Sequence, residues 1–148
     1  MSYEELSEKF ENATAEERMQ AIQEQFPQFK ITTTFIEKVK GEYGYANKYK
    51  VTIRNGKKHF STTFTDSINN TQKGIKSDDI DIIYCIVSDA QCAQWNDSFE
   101  DFCSEFGYDT DSRSAERIYR ACEKTYDNIQ RLFNSDGFDF LSAVTYGY

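Results

Sequence analysis

Side-chain chemistry needs particular residue types within reach of one another, and this 148-residue chain offers few such sets. Its single histidine, His59, falls on the solvent side of a predicted strand, so a Ser-His-Asp relay, a Cys-His pair or a histidine-based zinc site lacks material within one chain. The four cysteines, Cys85, Cys92, Cys103 and Cys122, contain no CxxC pair, and at least two fall on apolar helical faces. Buried free thiols are expected ahead of disulfides or a metal centre. Asp109-Thr110-Asp111 begins like a calcium loop, but the next alternate position is Arg113, no glycine sits sixth and the twelfth is Arg120. A helix-capping turn fits that run better. Carboxylates are plentiful but no spacing singles out a pair, which leaves a glycosidase or nuclease arrangement open on residue types alone. Gly-rich phosphate loops are absent. The expectation is a protein that is not an enzyme and that carries neither metal nor cofactor, with an unrecognised hydrolase as the third-ranked reading.

The elements around these residues are legible from their periods. In Ser98–Phe133 the residues Phe99, Phe102, Cys103 and Phe106 stand at i, i+3, i+4 and i+7, one face of a helix that Ser98 and Asp101 would cap and Gly107 would end. Ala115, Ile118, Tyr119, Cys122, Tyr126, Ile129, Leu132 and Phe133 carry a second stripe over about six turns, which Asn134-Ser135-Asp136-Gly137 should stop. Upstream, Ser2 with Glu5 and Thr14 with Glu17 predict two capped helices before Pro27.

From Phe29 the period changes to two. Phe29, Ile31, Thr33, Phe35 and Val39 alternate with polar residues, a loop is expected over Gly41–Ala46, and Tyr49, Val51 and Ile53 alternate with Lys48, Lys50, Thr52 and Arg54. Asn55-Gly56 predicts a two-residue hairpin turn that pairs Ile53 with Lys58, Val51 with Phe60 and Tyr49 with Thr62. The apolar residues then share one face and Lys48, Lys50, Arg54, Lys57 and His59 the other. Residues 66–76 read as a polar loop with at most a turn of helix. Ile80, Ile83, Tyr84 and Val87 predict a central helix over 78–88, with a buried strand as the alternative, and Gln91–Asp97 reads as a linker around Trp95, the only tryptophan.

The fold class expected is therefore α+β: one domain over 1–148 in the order ααβββααα, a three-stranded antiparallel sheet packed on one face by about five helices. Residues 1–28 form its helical N-terminal part, 29–64 the sheet, 77–133 the helical part and 134–148 a docking segment. An aromatic content of 16% supports a packed core. With no leader pattern and no apolar run of the ~18 residues a membrane helix needs, a soluble cytoplasmic protein without membrane contact is expected.

Charge is segregated. Residues 1–28 carry two bases and seven acids, residues 29–76 ten bases and three acids, and residues 77–148 five bases and fifteen acids. Asp97, Glu100, Asp101, Glu105, Asp109 and Asp111 gather around the two-helix unit, with Tyr108 at its corner, and present a negative surface to a basic partner, the charges selecting the partner and aromatic anchors such as Tyr108 or Trp95 holding it. The alternative is a nucleic-acid face built from Lys48, Lys50, Arg54, Lys57 and Lys58 with Tyr43, Tyr45 and Tyr49 nearby. The net charge of −8 opposes it, so direct contact with nucleic acid is not favoured.

The segment FEDFCSEFGYDTDSRSAERIY, with the preceding TTFTDSIN and IDIIYCIVSDAQ, resembles small proteins encoded by phages and integrated mobile elements. The shared pattern is an acidic aromatic helix, Gly-Tyr-Asp-x-Asp-Ser-Arg, and a helix opening with Ala-Glu. It spans about the last two-thirds of the chain and carries no site residue across. Phage proteins of this size and acidity are similar to anti-CRISPR and other anti-defence inhibitors. The resemblance implies a host protein as partner, a CRISPR effector foremost, inside the bacterial cell.

Overall fold

The computed structural model describes residues 2–148. Helices α1 (Tyr3–Phe10) and α2 (Ala15–Gln25) precede strands β1 (Phe29–Gly41), β2 (Gly44–Asn55) and β3 (Lys58–Thr65); α3 (Ile68–Lys73), α4 (Asp79–Gln94), α5 (Phe99–Phe106) and α6 (Arg113–Thr145) follow. The α+β class is as expected, and α3 is a short helix beyond the expected five. The capping box before α2 is complete: Thr14 Oγ1 accepts from the Glu17 amide at 3.2 Å and the Thr14 amide donates to Glu17 Oε1 at 3.0 Å.

The strands form an antiparallel meander, β1-β2-β3, but in a register shifted by two residues from the expected one: Ile53 faces Phe60, Val51 faces Thr62 and Tyr49 faces Phe64. Asn55 lies in the strand because its Nδ2 donates to the Leu132 carbonyl of α6 at 3.0 Å, and the turn moves to Gly56-Lys57. Gly56 has φ +69° and Lys57 does not have positive φ, the demand of a type II′ turn rather than type I′. A shift of two preserves the parity of side chains, so the apolar face assigned from sequence survives the error. The expected loop Gly41–Ala46 is also replaced by strand: β2 already begins at Gly44, leaving Glu42-Tyr43 as the turn.

Val51, Ile53, Phe60 and Phe29 of the sheet meet Ile80 and Ile83 of α4 and Ile129, Leu132 and Phe133 of α6 in one core. Residues 79–88 are helical, capped by Asp78, whose side chain accepts from the Asp81 amide, and Ile80, Ile82, Ile83, Ile86, Val87 and Ala90 are all buried. Burial on several sides outweighs the modest helix propensity of the β-branched residues. The expected linker Gln91–Asp97 is a correction, since α4 runs on to Gln94.

The long helix α6 is broken, as its turn residues suggested, but it does not stop. Asn134 takes φ 59° and ψ −175°, and its Oδ1 accepts from the Gly137 amide at 3.0 Å, capping a second segment that buries Phe138, Leu141, Ala143 and Val144. Gly137 is buried in that segment, where an added Cβ would stand 2.7 Å from Phe133 Cβ and 3.2 Å from Phe26 Cζ. Gly137→Ala is therefore expected to lower stability by about 1–3 kcal/mol through overpacking, although alanine is the better helix former. A urea midpoint equal to or above that of the parent protein would contradict this.

Candidate functional site

Helix α5 stands on α6 with a small core of its own, Phe102, Cys103, Ala115 and Tyr119. Ser98 Oγ accepts from the Asp101 amide at 3.2 Å to start it, and Gly107, at φ 73°, ends it. Phe106 departs from the expected buried face. It is 45% exposed, with its ring 4.9 Å from that of Phe102, because it lies on the last turn beyond the reach of α6. The chain then returns through Tyr108, stacked on Phe102 with centroids 5.8 Å apart, to Ser112, whose Oγ accepts from the Ala115 amide and caps α6.

This geometry leaves Asp97, Glu100, Asp101, Glu105, Tyr108, Asp109 and Asp111 all exposed. Residues 97–112 contain six acids and no base. Glu105 also has a structural duty: its Oε2 accepts from Asn96 Nδ2 at 2.7 Å. The Nδ2 of buried Asn96 further donates to the Cys92 carbonyl at 2.7 Å, and the Asn96 backbone carbonyl accepts from the Tyr119 hydroxyl at 3.4 Å, so one residue ties α4, α5 and α6 together. Beyond the acidic corner, Arg113, Arg117 and Arg120 stand exposed along the outer side of α6, a basic stripe missed from the sequence although its helical spacing was visible there. Arg120 is held by Glu123 at 2.6 Å and by Glu116 at 3.9 Å.

The basic strand residues divide between two faces. Lys30, Arg54 and His59 lie across the sheet in one row, with Thr34-Lys50-Thr63 and Glu37-Lys48-Thr65 in others on the same side. Lys57 is in the hairpin turn. Lys58 is on the opposite side, where its Nζ donates to the Arg131 carbonyl at 3.2 Å. Period two also puts Tyr45 and Tyr49 opposite Lys48, Lys50 and Arg54, with Tyr49 against Phe35 at 6.0 Å. The lysine face consequently lacks the aromatic platforms on which unpaired bases stack.

All four cysteines are free thiols, but only Cys103 and Cys122 are buried as expected; Cys92 is half-buried and Cys85, on α4, is exposed. Burial pushes Cys122 up to about 12, with the Asp89 carboxylate adding to the effect, and Cys85, Cys92 and Cys103 are likewise raised by burial first and neighbouring acids second. The nucleophilic thiolate is correspondingly scarce at each. Among the described residues no group of three or more His, Cys, Asp or Glu side chains is placed to hold a metal ion, and no helix is long and apolar enough to cross a membrane.

No protein-family model, curated protein or solved structure matches this chain.

Proposed function

We propose that the protein acts by binding another protein, through the acidic corner formed by α5 and the turn into α6. The observation that carries this reading is the exposure of six carboxylates and Tyr108 on a separately cored helix–turn unit free of bases between residues 97 and 112. Such a surface complements a basic groove. Opposed potentials accelerate encounter and exclude wrong partners, while a fixed scaffold limits the ordering cost of docking. The resemblance to phage-encoded anti-defence proteins makes a host nucleic-acid-handling effector, a CRISPR effector first, the partner to test, with inhibition by occupation of its nucleic-acid groove or a subunit contact. No catalytic step is assigned to the chain.

The decisive variant combines Glu100→Lys, Asp101→Lys and Asp109→Lys. It leaves Glu105 in place because that carboxylate holds Asn96. Against a panel of purified CRISPR effectors, the parent protein is expected to bind and inhibit at least one, and the triple reversal to weaken that binding about tenfold or more. Unchanged affinity in the folded variant would refute the role of the corner.

A further inference from the structure

We propose, building on the protein-binding role above, that the groove between α4, the end of α5 and the C-terminal residues is a receptor for an arginine-bearing segment of the partner protein. The cavity has a volume of about 560 Å³ and is walled by Tyr3, Tyr84, Trp95, Phe106 and Tyr146. Each of these rings is between 40% and 66% exposed, so aromatic surface that could have been buried lies open along one trench. Contiguous aromatic exposure of this kind marks interaction sites, whereas scattered exposed apolar residues do not.

Charge selects the occupant. None of the thirteen described residues lining the groove is a base, although the chain has seventeen lysines and arginines, and the single charged residue among them is Glu105. Its Oε2 is engaged by Asn96, which leaves Oε1 for a ligand. Tyr3 and Tyr146 also line an adjoining cavity that adds Glu4, Glu8 and Glu11, so the trench continues into a second group of carboxylates.

Aromatic walls with an acidic rim suit a cation with a flat, weakly hydrated head. Guanidinium is weakly hydrated and stacks flat on aromatic faces while its N–H fork still reaches the free Glu105 oxygen, a combination that a lysine ammonium cannot match. Nucleic acid is disfavoured by the same negative field.

The sole tryptophan makes the groove its own reporter. A nonapeptide of alternating arginine and alanine, free of aromatic residues, is titrated into the full chain while Trp95 emission is followed. A saturable change is expected. Substituting citrulline for arginine, or Tyr84→Ser with Tyr146→Ser, should weaken binding about tenfold, since each cation–aromatic contact contributes a few-fold to tenfold. Circular dichroism should show the Tyr84→Ser/Tyr146→Ser protein folded. Trp95 emission that does not respond, binding indifferent to citrulline or to the two serine variants, or a concentration-dependent dimer that the peptide fails to dissociate would overturn the proposal. Effector binding lost on reversing the corner charges but retained in the tyrosine variants would remove the groove and keep the proposed function. The converse pattern would remove the corner and keep the groove.

Discussion

Replacing Arg18 with methionine is expected to cost about 3 kcal/mol or more, a large part of the 5–15 kcal/mol that typically separates native from unfolded chains. Arg18 is 1% exposed and has no carboxylate within ion-pair distance among the described residues. Its guanidinium is satisfied by backbone carbonyls: Nη1 donates to Val144 and Tyr146, both at 2.8 Å, Nε to Ala13 at 3.2 Å, and Nη2 to Glu11 at 3.5 Å. Two of these acceptors are at the C-terminal end of α6, where carbonyls lack intrahelical partners and the helix dipole favours a cation. Methionine fills the volume but leaves buried acceptors without donors. Burial lowers the Arg18 pKa, against a smaller opposing effect of Tyr148, yet arginine remains charged at any ordinary pH.

The same contacts predict a graded series. Tyr148 lies 5.2 Å from the Arg18 guanidinium, and its hydroxyl donates to Asp78 Oδ2 at 2.6 Å, which pushes the phenol up to about 12. A pKa raised above the unfolded value near 10 means that the clamp is intact below pH 10 and is lost as pH rises through about 12. Arg18→Lys should retain part of the lost stability, because an ammonium supplies charge and donors without the planar fork. Urea unfolding of both variants checks the series. A loss under 1 kcal/mol in Arg18→Met would mean that these carbonyls find water instead, and the assignment of Arg18 as the tie between the α1–α2 connection and the end of α6 would fail.

Asp66→Ala is expected to destabilise by a comparable amount, about 3 kcal/mol, because hydrogen bonds to a charged acceptor are worth about 1.5–3 kcal/mol each and are not additive. The carboxylate, 4% exposed, accepts four: from the amides of Ser67 and Ser77 and the Ser77 hydroxyl, each at 2.8 Å, and from Asn70 Nδ2 at 3.1 Å. It thereby holds together the end of β3, the short helix α3 and the start of the connection to α4. Burial by itself would raise its pKa; the bonds from Ser77, Ser67 and Asn70 together outweigh burial and lower it below 3.8. A depressed pKa contributes stability that is fully present above the unfolded value and is lost as pH falls through the folded one. The stability difference between parent and variant should therefore be largest above pH 3.8 and shrink in more acidic solution. A difference that stayed constant from neutral pH to pH 2 would refute the charged network. Asp81, raised by burial and by Asp78 and Asp66, shifts in the opposite sense, so the comparison must be made between parent and variant at each pH.

Both of these residues were hard to read from sequence for one reason. Arg18 sits between Glu17 and Met19 on a helix whose apolar stripe can be drawn without it, and its decisive acceptors are 126 and 128 residues away. Asp66 opens a polar stretch that looks like ordinary loop, and its value depends on Ser77 returning to it. Asn96, between the only tryptophan and an acidic helix, is similar: it becomes a joint only when α5 and α6 converge. At the acidic corner, by contrast, the helix, its cap, its glycine stop and the exposure of its carboxylates followed from spacing, because each is decided within a turn or two of helix. The groove had no local signature. Its five rings come from α1, α4, α5 and the end of the chain.

By itself, the sequence determined what depends on the period of the backbone: most helices and strands, with residues 78–88 left open between the two, most caps, which strand faces are apolar, and the separation of basic strands from acidic helices. Apolar side chains must share a face at a spacing of ~3.6 in a helix and two in a strand, and neighbouring residues suffice to show it. Tertiary structure decided the position of the hairpin turn, through the carbonyl that binds Asn55, and the fate of the buried polar side chains Arg18, Asp66 and Asn96. It also separated Lys58 from the other strand lysines and assembled the aromatic groove. Each of these depends on a partner distant in sequence, and a polar group inside a protein is tolerated only where such a partner meets it.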